Sequence, residues 1–183
     1  VTIALAGEHN VANALAAAAA AHAAGAGLDA IVEGLTGMRP VAGRLEFKAL
    51  AGGGRLIDDS YNANPASVRA GLRALEQLGG ERWLVLGEMR ELGEASSRLH
   101  AEIGAFARET GVRRLYAVGE DARAAVEAFG AGATWFADVA ELIDALRTGL
   151  APGVTVLVKG SRSNRLERVA AALGAGAADG RTH

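Results

Sequence analysis

The spacing of apolar and polar residues changes near residue 43. Before it the pattern is helical. His9 to Ala24, "HNVANALAAAAAAHAA", consists of strong helix formers, with Glu8 or Asn10 near its start and Gly25 near its end. Leu28 to Leu35 predicts a second helix, closed near Gly37. After "MRPVAG", a turn or linker, "RLEFKAL" alternates as a half-buried strand does, "AGGG" marks a hairpin turn, and "RLIDD" is the next strand.

From there strands and helices alternate. Helices are predicted at Ser67–Leu78, Ser96–Thr110, Asp121–Phe129, Val139–Leu146 and Ser163–Leu173, with Asp138 as N-cap of the fourth. In the second of these, Leu99, Ile103 and Phe106 share a face. Between the helices run "RWLVLG", "RLYAVG", "ATWFA" and "VTVLVKG". Such alternation implies right-handed βαβ crossovers. It predicts an α/β class: a Rossmann-like, mostly parallel sheet with helices on both faces, preceded by a helical segment. The continuous apolar runs in "WLVL" and "VTVLV" suit strands covered on both sides. The end of the chain, "GAGAADGRTH", is small and polar and reads as disordered over residues 175–183.

Composition narrows the partners. Half of the 183 residues are hydrophobic and the formal charge is −2, with both signs interspersed, so nothing points to nucleic acid or a charged membrane. The alanine-rich run is too short and too weakly apolar to span a bilayer, and the start lacks the basic and apolar regions of a signal peptide. The absence of cysteine excludes disulfides and thiolate metal sites and fits a cytoplasmic protein. Two lysines, Lys48 and Lys159, stand against seventeen arginines. Where arginine is so preferred, a retained lysine draws attention.

In open α/β sheets, ligands bind beyond the carboxyl ends of the strands. Those ends here read "LIDDSYN", "LVLGEM", "YAVGED" and "LVKGSRS". The glycine of "AVGED" reads as a tight βα turn. In "LVKGSRSNR", Lys159, Ser161 and Arg162 stand before a helix start, where phosphate or carboxylate is favoured. Arg165 and Arg168 read as solvated helix charges. In "DDSYNANP", turn and cap chemistry accounts for Asn64, Pro65 and Ser67 but leaves the tyrosine and both acids unexplained. A carboxylate at a strand end commonly takes two ribose hydroxyls. There is no GxxxxGK[ST] loop, no trustworthy Ser/His/Asp order and no His/Asp cluster at metal spacing. His100, alone in a helical pattern, reads first as structural.

Five stretches, "GEHNVANALAAAAAA", "GRLE", "IDDSYNANPASV", "VLGEMRELGEASSRLH" and "VLVKGSRSNRLERV", together resemble the Mur ligase family in order and spacing. The last and third match the branch that adds D-alanyl-D-alanine (D-Ala-D-Ala) to UDP-MurNAc-tripeptide. The resemblance implies that residues 1–42 end a central ATP-binding domain, that 43–174 form the C-terminal Rossmann-like domain, and that 175–183 are tail. It implies a cytoplasmic bacterial peptide ligase of peptidoglycan synthesis, working as a monomer with ATP and Mg2+ through an acyl phosphate. The phosphate-binding loop and metal ligands would lie upstream, leaving this portion inactive alone. It further implies ATP binding by Asn10, Asn13, Arg44 and Asp59, the asparagines at the adenine and Asp59 at the ribose. Tyr61, Asn62, Asn64, Lys159, Ser161, Arg162 and His100 become candidates for substrate positioning. "GEMRELG" departs from the family in carrying Glu88 where Asp is frequent, which leaves a ligand role for it in doubt. Two other classes compete: a free-standing Rossmann-like nucleotide or partner-binding module, and another ligase of the superfamily such as folylpolyglutamate synthetase.

Overall fold

The computed structural model describes residues 1–3, 8–38 and 41–174, so the expected tail at 175–183 lies outside the described residues. The chain forms two compact units, Val1–Val41 and Ala42–His183. The first holds helices α1 (Glu8–Ala23) and α2 (Leu28–Thr36). Among its described residues none is buried, and Val11, Leu15, Leu28 and Val32 are exposed.

The second unit begins with a hairpin of β1 (Glu46–Ala49) and β2 (Arg55–Asp59). Its turn depends on Gly54. That residue has φ 113°, and a Cβ there would strike the carbonyl of Val154. There follow α3 (Pro65–Glu76), β3 (Glu81–Gly87), α4 (Ser96–Glu109), β4 (Arg114–Val118), α5 (Arg123–Phe129), β5 (Ala133–Phe136), α6 (Val139–Gly149), β6 (Val154–Lys159) and α7 (Glu167–Leu173). The sheet order is β1-β2-β6-β3-β4-β5, and only the β1–β2 pairing is antiparallel. The α/β, mostly parallel, Rossmann-like architecture expected from the spacing is therefore present.

Alternation along the strands builds two cores. Leu56, Trp83, Val85, Tyr116, Val156 and Val158 pack with α6 and α7. Ile57, Leu84, Leu86, Leu115 and Leu157 pack on the opposite face with α3, α4 and α5. Leu72 of α3 is fully buried, and its truncation to Ala would cost about 2–5 kcal/mol. Because β6 is inserted between β2 and β3, the chain leaves β6 toward one face and leaves its two neighbours toward the other. The carboxyl end of β6 is thus the topological switch point, where such sheets take ligands.

Two local differences from the spacing matter there. The last helix begins at Glu167 rather than Ser163, because a 3-10 turn at Arg162–Asn164 and a left-handed Arg165 (φ 51°) intervene. Lys159, Ser161 and Arg162 therefore do not sit against an α-helix N-terminus. The helix expected from Asp121, α5, begins at Arg123.

Candidate functional site

The strand ends separate into two arrangements on either side of β6. Toward β3 the loops are stapled together. The Asn164 carboxamide accepts from the Glu88 N–H (3.2 Å) and donates to the Glu88 carbonyl (2.9 Å) and the Ser161 carbonyl (2.9 Å). The Ser161 N–H also donates to the Glu88 carbonyl at 3.0 Å, and the Ser161 hydroxyl accepts from the Arg90 N–H at 2.9 Å. Gly87 lies so close to Asn164 that a Cβ would clash with its carboxamide. The two strand-end loops are thus in direct contact.

His100 extends the staple. It is fully buried; Nε2 accepts the Met89 N–H at 2.9 Å, and Nδ1 lies 2.8 Å from the Ser96 carbonyl. A carbonyl can only accept, so Nδ1 carries the proton and the ring is the neutral tautomer. Both ring nitrogens are thereby engaged. Glu88 uses its carboxylate locally, accepting from the Asp121 N–H (3.1 Å) and from Arg90 (3.1 Å).

Toward β2 the arrangement is open. The two consecutive acids at the end of β2 point to opposite faces, as pleating requires. Each is met by one of the two lysines. Asp58, on the α7 side, takes Lys48 Nζ at 2.7 Å on one oxygen and the Ser60 hydroxyl at 2.6 Å on the other. Burial alone would lower the Lys48 pKa. The hydrogen bonds and charges of Asp58 and Glu46 outweigh it and hold the ammonium above its ordinary 10.5. Asp59 stands opposite Lys159 in the parallel register and takes Lys159 Nζ at 2.7 Å; Lys159 also donates to the Asn62 carbonyl at 2.9 Å. The second Asp59 oxygen accepts the Leu45 N–H at 3.3 Å, from a left-handed residue (φ 47°) just after Arg44.

Above this base, the Tyr61 ring lies near two guanidiniums. Arg44 lies 4.3 Å and Arg162 5.6 Å from its ring centroid. Both arginines are exposed, and among the described residues neither meets a carboxylate. A pocket of about 360 Å³ opens beside them, with Gly43, Lys48, Asp58, Ser60, Tyr61 and Arg162 in its wall. Buried carboxylate, hydroxyl, phenol ring and unpaired guanidiniums in one small space suit a polar ligand carrying negative charge.

The "Mur ligase, glutamate ligase domain" family model matches residues 43–162. The chain belongs to the Mur ligase family. It is 45% identical over 175 residues to the UDP-N-acetylmuramoyl-tripeptide--D-alanyl-D-alanine ligase of Escherichia coli (strain K12), covering 94% of this chain and 38% of that protein. Among solved structures, MurF from Acinetobacter baumannii aligns with TM-score 0.82 and 39% identity, over 93% of this chain and 39% of that one. MurF ligase from Thermotoga maritima in complex with ADP aligns with TM-score 0.77 and 26% identity, over 91% and 38%. The chain thus spans under two-fifths of the length of these Mur ligases.

Measured against the residues singled out in the sequence, the structure gathers Arg44, Asp59, Tyr61, Asn62, Lys159 and Arg162 at one rim. Three candidates are engaged in the fold itself. Asn64 caps α3 in a reciprocal capping box with Ser67 (2.8 and 3.0 Å). Ser161 and His100 belong to the staple. Lys159, expected to face phosphate or carboxylate, is 2% exposed and already paired with Asp59. Asn10 and Asn13 lie on α1 of the first unit, Asn13 donating to Asn10 at 3.3 Å. Spacing missed Asp58, Ser60 and Asn164. The retained Lys48 was the available signal for Asp58, because the two lysines pair with the two adjacent acids; Asn164 left none.

Proposed function

We propose that this chain is the C-terminal part of an ATP-dependent ligase that joins D-Ala-D-Ala to UDP-MurNAc-tripeptide. The identity of 45% across 94% of the chain to a ligase of that name carries the reading. The open rim supplies the parts. Residues 1–42 would end the ATP-binding domain, and 43–174 would form the domain that closes on it.

Activation of the tripeptide carboxyl as an acyl phosphate, followed by attack of the dipeptide amine, concentrates negative charge where two domains meet. Among the described residues Arg44 and Arg162 meet no carboxylate, and they are suited to that charge, each lying within cation–π range of the Tyr61 ring. Closure of the rim over the nucleotide would exclude water that competes with the amine for the acyl phosphate. The carboxamides of Asn10 and Asn13 match the donor and acceptor edge of adenine, and Asp59 matches a ribose diol. The T. maritima relative is in complex with ADP, which supports an adenine nucleotide as the ligand. Arg162, beside a pocket that also holds Lys48 and Ser60, is the candidate for the dipeptide carboxylate. Mg2+ is part of the proposal for the full-length enzyme only; among the described residues no group of three or more His, Cys, Asp or Glu is placed to hold a metal. Among the described residues no helix is long and apolar enough to cross a membrane. A cytoplasmic, monomeric enzyme is part of the proposal.

The test is amide formation by the full-length protein, read as phosphate release and peptide product, with D-Ala-D-Ala against single amino acids. Strong preference for the dipeptide is expected; use of a single amino acid alone would sink the reading. The competing free-standing module predicts micromolar ATP binding by residues 1–183 alone, where we expect weak or none.

A further inference from the structure

We propose that Lys159 is a positioning residue that aims the Asp59 carboxylate at the ribose diol of the bound nucleotide, and that it contacts neither phosphate nor substrate. This rests on the nucleotide reading of the rim above. Three observations carry it. First, the Lys159 side chain is 2% exposed, so an anion reaching it would have to displace Asp59 and leave that carboxylate without its cation. Second, the ammonium grips both ends of one short loop, the Asp59 carboxylate at 2.7 Å and the Asn62 carbonyl at 2.9 Å. Tyr61, with its two arginines, lies between those anchors. Third, Lys159 is the last residue of β6, and Arg162 follows three residues on, so one side chain ties together the two loops that face the ligand.

The pairing also decides what Asp59 can bind. A lone carboxylate at a cleft attracts any cation and swings between partners. Neutralised by Lys159 on one oxygen and held by the Leu45 N–H on the other, it is fixed in direction, 15% exposed, and keeps one acceptor site on each oxygen. Two neutral hydroxyls on adjacent carbons suit two such sites. Another charged group does not.

The experiment measures dissociation constants for ATP and for 2′,3′-dideoxy-ATP in the full-length protein, as wild type, Asp59→Asn, Lys159→Met, Lys159→Arg and the double variant Asp59→Asn with Lys159→Met. The ratio within each variant is the readout, because a merely structural loss weakens both nucleotides alike. Wild type is expected to prefer ATP. That preference should fall about tenfold or more in Asp59→Asn and equally in Lys159→Met, with no further fall in the double variant, and Lys159→Arg should restore part of it. Should Lys159→Met not fold, Lys159→Gln keeps a donor to Asn62 but loses the charge, and the same fall is expected. A Lys159 variant that retains the wild-type ratio overturns the proposal. So does a wild-type ratio in Asp59→Asn. The ligase reading fails separately, when a wild-type protein that prefers ATP makes no amide with D-Ala-D-Ala.

Discussion

The polar side chains on the two sides of β6 serve different ends. Toward β3, Glu88, Ser161, Asn164 and His100 bond to one another and to backbone groups. Toward β2, Arg44 and Arg162 contact an aromatic ring and solvent, and a pocket opens beside them. A polar residue at a strand end is therefore not evidence of a ligand until its hydrogen bonds are followed. Where the partners are internal, the residue holds the loops; where they are missing, it awaits a partner.

Breaking the staple should cost stability and breaking the rim should not. His100→Ala removes the acceptor of the buried Met89 N–H and leaves a cavity, so we expect a loss of about 2–3 kcal/mol in denaturant unfolding of the chain. Asn164→Ala leaves the Glu88 N–H without its side-chain partner. A loss of about 1–2 kcal/mol is expected, with faster hydrogen exchange at Glu88 and Ser161 as its local mark. Asn64→Ala, which removes only a helix cap, should cost about 1 kcal/mol. At the rim, Arg162→Ala and Arg44→Ala should change stability by no more than about 0.5 kcal/mol, while weakening nucleotide and dipeptide use by the full-length protein. A larger destabilisation from Arg162→Ala than from Asn164→Ala would erase the distinction.

Lys48 sharpens the comparison through pH. Its folded pKa is raised above 10.5. A raised ammonium contributes its full stability below pH 10.5 and loses it as pH climbs through the folded value. Alkaline unfolding above pH 10.5 should therefore flatten in Lys48→Met relative to wild type. An unchanged alkaline slope would mean that the Lys48–Asp58 pair contributes nothing to the fold.

The first unit offers a plainer contrast. Its sequence announces two helices, and the helices form, yet none of its described residues is buried. Helix propensity is local and readable from alanine content. A core is not, since it depends on what packs against Val11, Leu15, Leu28 and Val32.

What the sequence by itself determined was everything set over short distances. Alternating runs fixed the strands and predicted a covered parallel sheet. "NANPAS" carried the cap of α3, and the scarcity of lysine flagged both Lys48 and Lys159. What only the tertiary structure decided was partnership. Asp59 and Lys159 are a hundred residues apart in the chain and meet because β6 is inserted beside β2, with a register that places them opposite one another. Strand order and register are settled by how whole faces bury, through Leu56, Val156 and their neighbours, and no local motif encodes them. The same burial turned Lys159 from an expected anion ligand into the anchor of Asp59, and left Arg162, three residues later, facing the open pocket.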